Sequence, residues 1–103
     1  MVIVVFRSRV RPEHIEEFER DADEMLAIAR SMPGFLSYKR YTSKDGERLS
    51  LHEWESAHRL RAWREHPRHR ELQKLGRSRY YAEYTSYVCD SPRETRFNGR
   101  PSR

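Results

Sequence analysis

The order of hydrophobic patterns predicts an α+β fold of the ferredoxin-like, split βαβ kind. Its elements run β-α-β-β-α-β, with an antiparallel sheet covered by helices on one face. Three observations carry this reading. Residues 2–10 alternate, residues 15–32 carry apolar side chains at spacings of three and four, and a turn at Lys44–Glu47 separates two further strand-like runs. A broken helical stretch and a tyrosine-rich strand then complete the order.

In the first strand Val2, Val4, Phe6, Ser8 and Val10 share one face, and Ile3, Val5, Arg7 and Arg9 share the other. Pro12 suits the first turn of a helix, and the acids behind it suit a helix N-terminus. Ile15, Phe18, Ala22, Met25, Ala29 and Met32, widened by Leu26, form the apolar stripe of that helix, which Pro33-Gly34 stops. Phe35–Thr42 reads as the second strand and Leu49–Glu55 as the third, joined by a hairpin in which Gly46 supplies positive φ. Ser56 is placed to cap a short helix bearing Leu60 and Trp63. Pro67 breaks that helix and opens another, with Leu72 and Leu75 inward and Gly76 ending it. Arg79–Cys89 is the expected last strand. Tyr80 and Tyr84 should share one of its faces, Tyr81 and Tyr87 the other. Residues 1–97 are expected to form one domain, and 98–103 a loose tail.

Composition narrows the class. With 103 residues, 36% hydrophobic and 36% charged, the chain has little apolar material to spare. One sheet face would stay uncovered, and tyrosines lie on both faces of the last strand, so a symmetric homodimer is expected. No apolar run spans a membrane, and Met1–Arg7 lacks the basic lead of a signal peptide. Cys89 is the only cysteine, which fits a reducing cytoplasm, and it reads as a buried small residue. The net charge of +5 is uneven: residues 13–26 hold seven acids against Arg20, while residues 57–79 hold eight Arg or Lys against Glu65 and Glu71. That basic block, together with aromatics on a ferredoxin-like sheet that could stack bases, is the argument for nucleic-acid binding. No RNP-type aromatic pattern accompanies it, so such binding is not expected.

Between Trp54 and Tyr84 aromatic and cationic residues are dense enough to wall a pocket for a flat organic molecule. Trp63 offers stacking area and an indole donor, or else packs in the core beside Leu60. Trp54, alternating with His52 and Ser50, reads as core or interface. His66 and His69 are three apart and can meet one ligand from successive helix turns, so either is a candidate base. His66, beside Pro67, can alternatively satisfy carbonyls at the helix break. No Asp, Glu or Cys stands at matching spacing, so no metal is expected. Tyr80 and Tyr84 are candidate substrate contacts, and Arg77 or Arg79 can steady a phenolate or carboxylate. His14, His52 and His58 carry no functional argument at this level.

Arg11-Pro12-Glu13, Met32-Pro33-Gly34-Phe35, Leu51-His52-Glu53-Trp54-Glu55-Ser56 and the run from Ala62 to His69, in this order, resemble the antibiotic biosynthesis monooxygenase (ABM) domain family. That family belongs to the dimeric α+β barrel superfamily. The resemblance implies a ligand site between helices and sheet that would involve Phe6, Trp63, His66, His69 and part of the last strand. It also implies activity as a cofactor-independent monooxygenase acting on an aromatic or polyketide-like molecule. The alternative within the family is a non-catalytic, small-molecule-binding or stress-associated member. In the family's haem-degrading branch the first strand bears an asparagine where this chain has Phe6, and the iron-ligand position falls near Gln73, so haem is not implied.

Overall fold

In the computed structural model, which describes residues 1–101, the chain forms four strands and three helices. They are β1 (Val2–Val10), α1 (Ile15–Ser31), β2 (Phe35–Thr42), β3 (Arg48–Trp54), α2 (Ala57–Arg64), α3 (Pro67–Leu75) and β4 (Tyr81–Asp90). All strand pairs are antiparallel in the order β2-β3-β1-β4, the order of a split βαβ sheet. The fold class is the one the sequence predicts.

Local chemistry accounts for the boundaries. Arg11 precedes a 3-10 turn over Pro12–His14, and α1 follows with Glu16 and Glu17 in its first turn. Gly34 and Gly46 both adopt φ of +89°, which glycine reaches without steric cost. Gly46 closes the β2–β3 hairpin as expected. Ser56 caps α2 by accepting from the Arg59 N–H at 3.2 Å. His66 caps α3 in the same manner, its Nδ1 accepting from the Arg68 N–H at 3.1 Å. It thus meets an N–H, where the sequence suggested a carbonyl.

Three details differ from expectation. Gly76 does not end α3 through positive φ; it leads into a π-helical turn over Gly76–Tyr80. Glycine is needed there because a Cβ would lie 2.7 Å from the Tyr81 ring. Tyr80 consequently belongs to that turn and β4 begins at Tyr81. Cys89 is exposed, because it points away from the helices, opposite Ile3 on β1. Residues 91–101 form neither helix nor strand, and Phe97 is almost fully exposed. Of the segment read as a loose tail, Ser102 and Arg103 lie outside the described residues.

The core is narrow. Val2, Val4, Met25, Ala29, Trp54, Leu60 and Trp63 are buried together, with Ile28, Met32, Phe35 and Leu72 packed against them. The uneven charge becomes internal pairing: Arg68 on α3 meets Asp21, Glu24 and Glu71, while Arg79 meets Glu17. Arg40 and Arg48 on the sheet pair with Asp23 and Glu19. Much of the acidic α1 face is thus answered by Arg68 and Arg79 of the basic block and by two arginines of the sheet.

Candidate functional site

Between the helices and the inward sheet face lies a cavity of about 400 Å³. Its floor follows from β pairing: Val4, Phe6 and Ser8 of β1 stand opposite His52, Ser50 and Arg48 of β3, and Phe6 and Ser8 opposite Ser86 and Tyr84 of β4. The cavity has two differently built ends.

The inner end is a stack of nitrogen-bearing rings. Trp63 lies against Trp54 with centroids 5.4 Å apart and meets His52 and His69 edge-on at 5.2 and 4.3 Å. The Trp54 indole donates to His52 Nδ1 at 2.9 Å. An indole nitrogen can only donate, so His52 Nδ1 must accept, and the neutral ring carries its proton on Nε2. Burial pulls the pKa of both histidines down to about 4, and the nearby Arg64 charge adds to it. Both rings are therefore neutral at pH 7. Trp63 Nε1 and His69 Nδ1 are sealed from solvent with no hydrogen-bond partner among the described residues.

The outer end is a cluster of phenyl and phenol rings in which the Tyr80 and Tyr84 hydroxyls are hydrogen-bonded. Phe6 stacks on Tyr84 at 5.2 Å and touches Tyr81, while Phe18 meets Tyr80 and Tyr81 edge-on. The Tyr80 hydroxyl donates to the Asp21 carboxylate. Arg77 donates from Nε to the Tyr84 hydroxyl at 3.0 Å. Burial, with the acids Asp21 and Glu17 adding to it, raises the Tyr80 phenol; burial raises that of Tyr81. Neither is suited to ionise near neutrality.

Of the residues singled out from sequence, Phe6, Trp63, His69, Tyr80, Tyr84 and Arg77 line this cavity. His66 does not; its ring is committed to capping α3. Trp63 is both core and wall, 9% exposed and in the buried cluster, so the two readings of it are not exclusive. Trp54 is fully buried, as core, beneath the same cavity. Tyr81 joins Tyr84 on the inward face although they stand three positions apart. The β1–β4 register slips between Arg9 and Val10, so Ala82 is an extra residue and parity inverts. Tyr87, opposite Val5, faces outward. No group of three His, Cys, Asp or Glu side chains converges as a metal site among the described residues.

Residues 1–75 match the family described as antibiotic biosynthesis monooxygenase. The chain belongs to that family. A relative, the uncharacterized protein YqjZ of Bacillus subtilis, is 30% identical over 94 residues, covering 91% of this chain and 82% of its own. Among solved structures, Rv0793 of Mycobacterium tuberculosis superposes with a TM-score of 0.77 at 25% identity, over 92% of this chain and 98% of the other. SnoaB, a cofactor-independent oxygenase of Streptomyces nogalater, does so with a TM-score of 0.75 at 17% identity, over 90% and 94%. At that identity SnoaB shares the fold.

Among the lining residues that the sequence reading did not single out, His52, Arg64 and Tyr81 bear most on the site. His52 had a signal, since it alternates with Trp54 on one strand face. Tyr81 had none, because its orientation depends on a register slip that pairing alone reveals.

Proposed function

We propose that this ABM-family protein is a cofactor-independent monooxygenase for an aromatic or polyketide-like small molecule. The observation that carries the reading is the ring-walled cavity of about 400 Å³, in the size range of small-molecule sites. SnoaB's description as a cofactor-independent oxygenase supports it through the shared fold. In this chemistry the anion of an electron-rich phenol or enol passes an electron to O₂. The resulting radical pair combines as a peroxide, and loss of water leaves a new carbonyl. The overall change converts CH₂ and O₂ to C=O and H₂O. Phe6, Trp63 and Tyr84 would hold the flat substrate, and His69, on the same cavity lining, would be the candidate base.

The test is oxygen uptake with an anthrone or a naphthohydroquinone. Uptake that survives EDTA, with a product that gains one oxygen and loses two hydrogens, is expected. Binding without uptake would favour the second reading, a non-catalytic ligand-binding protein. One observation favours that alternative: an imidazole whose conjugate acid has a pKa of about 4 is a weak base toward a phenol.

The active form on this reading is a homodimer. Ile3, Val5, Leu49, Leu51 and Tyr87 occupy the sheet face away from the helices, and Tyr87 is 47% exposed there. A second copy covering this face would bury those side chains. Sedimentation equilibrium should give twice the chain mass, and Leu51→Glu should return the monomer. No helix among the described residues is long and apolar enough to cross a membrane, and a lone thiol suits a reducing compartment, consistent with a cytoplasmic role.

A further inference from the structure

The cavity's charges are unequally answered. Its lining contains a single carboxylate, Asp21, and that group already receives the Tyr80 hydroxyl and Arg68. Of the four lining arginines, Arg40 and Arg48 are paired with Asp23 and Glu19. Arg77 is engaged by the Tyr84 hydroxyl. Arg64 has neither a carboxylate nor a hydrogen-bond acceptor among the described residues, although it is half-buried at the end of α2. On the same cavity lining, and within electrostatic reach of Arg64, the Trp54 indole holds His52 with Nε2 protonated, and no acceptor among the described residues takes that proton. A half-buried cation and an oriented, unpaired N–H donor in one wall is an arrangement that lacks its acceptor.

We propose that Arg64 and His52 form an anion-binding subsite at the inner end of the cavity, which takes an anionic oxygen carried by the aromatic ligand. The ligand class is thereby narrowed to aromatic acids and acidic enols or phenols that enter already ionised. Three features agree. Trp54 fixes the donor's tautomer, so His52 Nε2 offers its proton without reorganising. The neutral state of His52 and His69 leaves Arg64 as the cation of this end and removes the strong base that a neutral phenol would require. The ring stack of Trp54 and Trp63 abuts the subsite, so an aryl group and its anionic substituent can be held together. The inference rests on the aromatic-ligand reading and deepens it.

Two probes of one shape separate the ideas: 2-naphthoate, an anion, and 2-naphthamide, its neutral isostere. Their Kd values are measured by calorimetry on the full chain and on Arg64→Gln. A charge-assisted contact predicts that naphthoate binds about ten-fold or more tighter than naphthamide. In Arg64→Gln that advantage should disappear, with naphthamide weakened much less than naphthoate, and a native circular dichroism spectrum shows that the variant is folded. Trp54→Phe, which releases the His52 tautomer, should weaken naphthoate several-fold more than naphthamide. Equal affinities in the unaltered protein overturn the subsite and leave the aromatic pocket standing. A preference for naphthoate that persists in Arg64→Gln also overturns it and moves the anion to Arg77. If neither probe binds, the aromatic pocket fails, and the subsite with it.

Discussion

The two ends of the cavity draw on the same residue types and treat them oppositely. At the outer end polar groups are answered: Tyr80 by Asp21, Arg77 by Tyr84, Arg48 by Glu19. At the inner end Trp63 Nε1 and His69 Nδ1 are unpartnered, Arg64 has no counter-charge among the described residues, and only the Trp54–His52 pair is satisfied. A folded chain tolerates unmet donors only at a cost of about 1–3 kcal/mol each. Unmet groups are thus concentrated at one end of one cavity, the end to which the proposal above assigns the ligand's anionic oxygen. The outer end, closed by its own hydrogen bonds, reads as wall and mouth.

The largest expected effect comes from removing the central ring of the inner stack. Trp63→Ala should cost about 3–5 kcal/mol of stability, because the side chain belongs to the buried cluster. Chemical denaturation would show it, and a variant as stable as the parent would demote Trp63 to wall alone. Trp63→Phe is the better probe of binding, since it keeps the packing and removes the indole N–H.

Acid should act next, and on the inner end. His52 and His69 ionise at about 4 in the folded protein against an ordinary 6.5. The unfolded chain therefore binds more protons between those values, and stability falls as pH drops through that window. For His52, which is buried, the loss by pH 4 is on the order of 3 kcal/mol. Carboxylates such as Glu17 and Glu24, held down by Arg79 and Arg68, are lost at lower pH. Thermal melts that stay level from pH 7 to 4 would contradict the neutral-histidine account.

Smaller effects belong to the outer end. Gly76→Ala should displace the Tyr81 ring, since the new Cβ would meet it at 2.7 Å, at a cost of about 1–3 kcal/mol. Circular dichroism in the aromatic region should change with it, and an unchanged spectrum would mean that the ring adapts freely. Tyr84→Phe removes the Arg77 partner on a half-exposed side chain and should cost under about 1 kcal/mol. If it instead weakens 2-naphthoate binding as much as Arg64→Gln does, the contrast between the two ends is wrong.

The strands, the helices and their order were legible because each rests on local chemistry. Alternation marks β1, a 3.6-residue stripe marks α1, Pro33-Gly34 and Gly46 mark turns, and Ser56 and Pro67 mark helix starts. Six of the seven proposed site residues do line the cavity, since a dense run of aromatic and basic residues leaves few other places for a pocket wall. His66 misled because a histidine before proline looks the same in sequence whether it faces a ligand or caps a helix. Cys89 misled because small apolar character says nothing about which face of an edge strand a residue occupies.

By itself the sequence determined the element order, the hydrophobic faces and the complementary charges of α1 and the basic block, all consequences of periodicity and residue type along one stretch of chain. The tertiary structure decided which side chains met. One extra residue opposite β1 turned Tyr81 inward, and pairing between strands set Trp54 to hold the tautomer of His52. Packing of α2 against the sheet left Arg64 on the same cavity lining, without a counter-charge among the described residues. Such outcomes depend on register and on contact between distant segments, and no local pattern encodes either.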